Sequence, residues 1–194
     1  MIYPLPSFPP LFPSGEWWKI RLHALLEGAT REESTATANR KSGFKSREWM
    51  RFVVVDRNEA EVMLSLPVVH GASALKNTRS ESWKIADDRP KLRKLNSTLA
   101  TLYGHTPFFH LLGEELKFLH SEDVSAAYLC HEMDEKVWKF LGLESRSLLE
   151  NLRMEDLNKD KFQNILQRME PFNPRVSVID SFFRYGPDTI FRLL

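Results

Sequence analysis

The sequence predicts a mixed α/β fold: a small N-terminal sheet, including a β-hairpin at about 49–69, covered by helices, with a predominantly helical C-terminal half. Three observations predict it. First, the β-branched run Phe52-Val53-Val54-Val55 leads through the polar turn Asp56-Arg57-Asn58-Glu59 into Val62, Leu64, Leu66 and Val68 at period two, the pattern of two antiparallel strands. Second, beyond Pro90 the apolar period becomes helical and stays so. Third, no repeat of about 20–50 residues occurs, which removes solenoids and propellers.

The elements follow in order. Met1–Pro13 carries five prolines, which fix φ and bias each preceding residue to extended geometry, so it is a Pro-rich extended start with Ile2–Leu5 as its candidate edge strand. Between Ser14 and Ala29, Trp18, Leu22, Leu25, Leu26 and Ala29 recur at helical spacing, with Gly28 placed to stop the helix. Residues 30–43 are polar, with nothing apolar larger than alanine before the closing glycine, and read as a flexible loop, bare or around a short strand near Ser34–Ala38. After the hairpin, Trp83 stands alone in a polar connection. Leu92, Leu95, Leu99 and Leu102 stripe a helix closed by Gly104, and Pro107 opens an apolar segment from Phe108 to Leu119. Ser121-Glu122-Asp123 caps a further helix carrying Val124, Ala127, Val137, Phe140 and Leu141. Phe162, Ile165, Leu166 and Met169 stripe another, stopped before Pro171. Ser177 with Asp180 three residues on is a capping-box pattern, so Val178–Arg184 is a short helix. Mixed elements of this kind pack as helices over a small sheet.

The chain's 194 residues, 42% hydrophobic and 27% charged, fit one globular domain spanning 1–194. No run reaches the roughly 18 apolar residues of a membrane span, and the proline-broken, uncharged opening is not a secretory signal. A lone cysteine, Cys130, excludes an internal disulfide framework and points to the reducing cytoplasm.

Charge is uneven. Residues 1–97 sum to +5 and residues 98–194 to −4, and two runs, 39–57 and 76–94, carry +4 each. Such runs attract a phosphate-bearing ligand locally, but the balanced whole argues against a nucleic-acid protein. His110 and Glu114 share a helix face without a third ligand, so no metal site is predicted. Cys130 lies on an amphipathic helix, where a buried thiol is inert. Eight glycines include no Gly-x-Gly pair, so there is no phosphate loop, and no Gly-x-Ser-x-Gly elbow is present. Trp18 and Trp138 fall on apolar helix faces and belong to the core.

Three stretches carry a family resemblance. Phe172-Asn173-Pro174-Arg175 followed by Val176-Ser177-Val178-Ile179-Asp180-Ser181-Phe182-Phe183-Arg184 and Gly186-Pro187 is similar to a closing pattern Phe-x-Pro-Asn, Leu-Ser-Ile-Leu-Asp-Leu-Leu-Phe-Asn, Gly-Pro. Tyr103-Gly104-His105-Thr106-Pro107-Phe108-Phe109 resembles Tyr, two variable residues, Ser/Thr-Pro-Tyr/Phe-Phe. Leu64-Ser65-Leu66-Pro67-Val68 resembles a strand Leu-Thr-Val-Pro-Val. In this order they resemble the WbqC-like protein family, bacterial proteins of O-antigen and related polysaccharide gene clusters. The chain departs from the family's pattern where Leu95-Asn96-Ser97 replaces a His-Trp-Arg/Asn triplet. Glu48-Trp49-Met50-Arg51 keeps only the last arginine of Tyr-Arg-Asn-Arg, and Arg175 and Arg184 replace two asparagines.

The resemblance implies a transferase passing a glycyl or related acyl group to an amino sugar in surface-polysaccharide synthesis. Its partner would be a nucleotide-sugar or activated acyl donor; the cofactor is unknown. Lys45 and Arg51 would bind donor phosphate. Asp180 would hold a hydroxyl or amine, or cap the last helix. Tyr103 would line the site, or pack in the core with its hydroxyl at the rim. The alternative is a non-catalytic ligand- or partner-binding member with a degenerate site, for which the Pro-rich opening offers Tyr3, Phe8 and Phe12.

Overall fold

A computed structural model of the chain describes residues 5–69, 71, 75, 79–113, 124–144 and 173–193. The hairpin forms as the alternation requires: β1 (Arg51–Val55) pairs antiparallel with β2 (Glu61–Ser65), Val53 opposite Met63. Asp56 closes the turn by accepting from the amides of Asn58 and Ala60 at 2.8 and 2.9 Å. Phe52 and Val54 are buried, whereas Arg51, Val53 and Val55 on the other face are half-buried. The mixed α/β class read from the sequence is the class observed. The outer edge of β1 is closed by unlike groups. Ser177 donates its amide to the Val53 carbonyl at 2.7 Å, and the Tyr103 hydroxyl accepts from the Val55 amide at 3.3 Å.

α1 (Gly15–Leu26) starts where Ser14 accepts from the Trp17 amide at 3.3 Å and ends before Gly28, whose φ of 102° suits glycine. Residues 30–43 are not a flexible loop or a strand: Arg31–Lys41 form a helix, α2. A reciprocal capping box starts it, Thr30 accepting from the Glu33 amide at 3.2 Å and Glu33 from the Thr30 amide at 2.8 Å. Its buried face is small and polar: Ser34, Thr35, Ala38 and Asn39. Asn39 accepts from the Trp17 indole at 2.9 Å and donates to the carbonyls of Pro6 and Phe8, both at 3.1 Å.

Those carbonyls belong to the Pro-rich start, which is buried in this fold from Phe8 to Pro13. Proline brings no N–H, so a strandless segment can cross the interior with few donors to satisfy. The amide of Leu11 does find a partner, the Trp49 carbonyl at 2.8 Å. Phe8 meets Trp83 edge-on at 5.9 Å and Phe12 meets Phe52 at 5.1 Å, so the solitary Trp83 is a core residue. Leu5 lies in no strand, and the rest of the candidate edge strand lies outside the described residues.

α3 (Arg89–Tyr103) is capped by Asp88, which accepts from the Lys91 amide at 3.1 Å, with Pro90 in its first turn. Leu92, Leu95, Leu99 and Tyr103 are buried; Tyr103, not Leu102, ends the core stripe. α4 (Phe109–Gly113) follows, and the stretch beyond it to Leu119 lies outside the described residues, as does the helix expected around Phe162–Met169. α5 (Ala126–Phe140) is capped by Ser125. Ser121-Glu122-Asp123 lie outside the described residues; Val124 accepts from the Ile85 amide at 3.0 Å and Ser125 bridges to Lys84, so the chain is still extended there. α6 (Val178–Tyr185) and α7 (Thr189–Leu193) close the described chain. At Gly186, φ is 57° and an added Cβ would lie 2.6 Å from the Phe108 ring, so only glycine fits.

α1, α2 and α5 meet around a buried charge. Arg21 is fully enclosed, its guanidinium 4.7 Å from the ring centroids of both Trp18 and Trp138. It pairs through both Nη atoms with Asp134, which also accepts from Arg31 at 2.7 Å. Among the described residues no helix is long and apolar enough to cross a membrane.

Candidate functional site

Two of the four residues singled out in the sequence meet. Tyr103, fully buried at the end of α3, donates its hydroxyl proton to Asp180 Oδ1 while accepting from Val55. Asp180 Oδ2 lies 3.4 Å from Arg184 Nε one helical turn on. The capping-box reading of Asp180 fails for a local reason. The Ser177 amide it would bond is already given to Val53, and the Ser177 hydroxyl alone caps the helix, accepting from Ile179 at 3.4 Å. Freed from the cap, the carboxylate turns to the phenol. Burial first, then the Asp180 charge, pushes the Tyr103 phenol well above its ordinary range. The phenol therefore keeps its proton, and the pair is a closed, buried hydrogen bond.

Arg51 lies elsewhere. It opens β1, four residues and roughly 13 Å of strand from Val55, at about 3.3 Å per residue, and lines two hollows that include neither Tyr103 nor Asp180. The first, about 350 Å³, is walled by Arg51, Ser65, Pro67, Gly71, Asp88 and Lys91. The second, about 440 Å³, lies over the outer face of the hairpin, among Arg51, Met63, Glu16, Glu48, Glu61 and Arg175. Both have the size of small-ligand sites. Arg51 is half-buried and its side chain has no hydrogen bond or ion pair to any described residue. Lys91 Nζ sits 2.6 Å from Asp88 Oδ2, and that bond holds the half-buried Asp88 carboxyl below its ordinary range.

Lys45 is exposed at the start of a 3₁₀ turn (Ser46–Glu48), its amide donating to Glu48 Oε2 at 2.9 Å, and it lines neither hollow. The structure thus divides the predicted set into a buried Tyr103–Asp180 pair, Arg51 between two hollows, and Lys45 in solvent. The two basic runs do come together at the first hollow, through Arg51 and Lys91. Sequence reasoning named the second run without singling out Lys91; its place in the first turn of a capped helix was the signal available. For Glu61 and Met63 there was no local signal beyond the hairpin register, and Arg175 stood out only as a replacement of an asparagine in the family pattern.

Among the described residues, the other reactive side chains noted in the sequence are enclosed or exposed without converging. Cys130 is fully buried, its sulfur 3.8 Å from that of Met50, and burial followed by the Asp134 charge pushes the thiol far up. All five tryptophans are buried, so none offers a free stacking face. His105 and His110 are exposed, Glu114 lies outside the described residues, and among the described residues no three metal-binding side chains converge.

The model of the WbqC-like protein family matches residues 40–170, about two thirds of the chain. The chain belongs to this family. Comparison with curated proteins finds no match, and comparison with solved structures finds none either. The span matched within this WbqC-like chain contains the hairpin, the first hollow, Lys45, Arg51 and Tyr103. Asp180, Arg175 and the closing stretch 172–187 fall beyond it. Phe108 nonetheless ties the two parts together: its amide donates to the Phe183 carbonyl at 3.3 Å and its ring abuts Gly186.

Proposed function

We propose that the chain is a cytoplasmic transferase of surface-polysaccharide synthesis that binds a phosphate-bearing donor, a nucleotide-sugar or activated acyl group, at the first hollow. The reaction is acyl transfer, glycyl or related, onto the amine of an amino sugar. The amine nitrogen forms the new bond to the carbonyl carbon, the bond to the leaving group breaks, and the amine gives up a proton. The observation that carries this reading is Arg51: a half-buried guanidinium with no described partner, at the edge of a 350 Å³ hollow shared with Lys91. Its fork suits two phosphate oxygens, and Lys91 adds a point charge. Family membership supports the reaction class, and the role of Tyr103 and Asp180 in it is to hold the hairpin in place.

Thermal-shift measurement against a panel of nucleotide-sugars tests the reading. A donor at 100 times its dissociation constant should stabilise the chain by about 2.7 kcal/mol, and Arg51→Ala should abolish the response while leaving the unliganded melting temperature in place. A flat response to every member of the panel overturns it.

The enclosure of Tyr103 and Asp180 favours a second reading, a non-catalytic member that binds its ligand without transferring a group, because both are buried, bonded to each other and line neither hollow. Turnover in a purified glycyl-transfer assay, lost on Arg51→Ala without unfolding, excludes this alternative. Binding without turnover establishes it.

A further inference from the structure

The second hollow holds charges of both signs around one space. Glu16, Glu48 and Glu61 face it with Arg51 and Arg175, yet no ion pair joins any of these five side chains to another. Opposite charges about 4 Å apart in water attract by about 1 kcal/mol, so surface side chains that can reach one another commonly pair. Here two of the carboxylates are anchored elsewhere. Glu48 is turned back to the Lys45 amide at 2.9 Å, and Glu61 is held by the Asn173 side-chain amide at 3.0 Å. The other end of Asn173 accepts from the Arg175 amide at 3.0 Å, which fixes the start of the segment bearing that guanidinium. The floor is the outer face of the hairpin, with Met63, 63% exposed, opposite Val53. Phe12 and Phe44 add apolar wall.

A space of about 440 Å³ ringed by separated carboxylates and guanidiniums matches a ligand that carries both charges itself. We infer that the second hollow binds a small zwitterion, a molecule with a primary ammonium and an anionic group, the ammonium toward Glu16 and Glu61 and the anion toward Arg175. Arg175 and Glu61 line this hollow and not the first, so the inference stands or falls separately from donor binding there.

Methionine-methyl NMR on the full chain reads the two hollows apart, because Met63 lines the second and Met50 the first. Serine carries the ammonium with a carboxylate, and O-phosphoethanolamine carries it with a phosphate. Glycerate keeps the anion without the ammonium, and ethanolamine keeps the ammonium without the anion. One or both zwitterions should shift the Met63 methyl saturably, and the member that binds identifies the anion. Arg175→Ala and Glu61→Gln should each weaken that binding about tenfold or more, the loss of one charge-assisted hydrogen bond. Both positions are exposed, so the variants fold, and an unchanged methyl spectrum before titration verifies it. Three results overturn the inference: no Met63 shift with either zwitterion, equal shifts with glycerate or ethanolamine, or a shift confined to Met50.

Discussion

Around Arg21 buried charges answer one another, Asp134 taking both arginines, while Arg51 and the charges ringing the second hollow stand about open space without pairing. At the first place, a guanidinium lies between tryptophan faces and grips a carboxylate that a second arginine also grips. At the second, a half-buried guanidinium of the same chemistry has no described partner and borders two hollows. Removing an ion from water costs several kcal/mol, recovered only by close partners. A set that is buried and paired has therefore used its electrostatic capacity on the fold. An open set keeps that capacity for something that arrives later. The Tyr103–Asp180 pair belongs with Arg21 by this measure, although the sequence invites grouping it with Arg51.

The largest expected effect comes from breaking the closed set. Asp134→Ala leaves Arg21 buried beside no anion and should cost about 3–5 kcal/mol, roughly 10 °C in melting temperature for a chain of this size, measured by calorimetry. Arg21→Met combined with Asp134→Leu should recover most of that loss, since apolar replacement of a buried pair is often neutral. An Asp134→Ala protein as stable as the parent would erase the distinction between the two regions.

Next is Tyr103→Phe, which leaves the Val55 amide and Asp180 without the hydroxyl and should cost about 1–3 kcal/mol, visible as a lower urea midpoint at unchanged m. The same residue gives a pH signature. Tyr103 and Cys130 both hold their protons more tightly folded than unfolded, with ordinary values of 10.0 and 9.0. Their contribution is complete below those values and is lost as pH rises above them, by about 1.4 kcal/mol per pH unit for each group. Stability should therefore fall from about pH 9 upward, first through the thiol and above about pH 10 through the phenol as well. Tyr103→Phe should remove the phenol's share of that slope, and Cys130→Ala the thiol's.

What the sequence made legible divides along the same line. Alternation in Phe52–Val68 reports a hairpin because one face must be apolar, and Ser14 and Asp88 report helix starts because orphan amides need local acceptors. α2 escaped because its buried face is Ser34, Thr35, Ala38 and Asn39, which hydrophobic periodicity does not register; its one local sign was Thr30 with Glu33 three residues on. The Pro-rich start reads as extended, its described part bends at Ser7–Phe8 and Leu11–Phe12, and nothing local says that Asn39 and Trp49 will bury it. Arg21, four residues after Trp17 and three after Trp18, sits on their helix face and could have been flagged as a cation among aromatics. Its partner 113 residues away could not. Asp180 misled because a capping pattern states only which amides need a partner, and Val53, from a distant strand, had already supplied one for Ser177.

A smaller effect tests the hairpin that separates the two regions. Glu59 holds φ at 62° in the turn, a conformation that costs an ordinary residue about 1–2 kcal/mol and glycine little. Set against glycine's greater unfolded-state freedom, Glu59→Gly should raise stability by about 0.5–1 kcal/mol. Smallest of all should be Arg51→Ala. A guanidinium with no described partner has no bond to lose, so its removal should move the urea midpoint by no more than about 0.5 kcal/mol, against several for Asp134→Ala. The two variants, measured side by side in the same buffer, set an arginine's carboxylate partner against an arginine with none. A loss above 1 kcal/mol at Arg51 would mean that its side chain supports the strand it opens, and its fitness to meet a phosphate would then be a by-product of packing. An unchanged midpoint together with lost nucleotide-sugar binding would assign that arginine to the ligand alone.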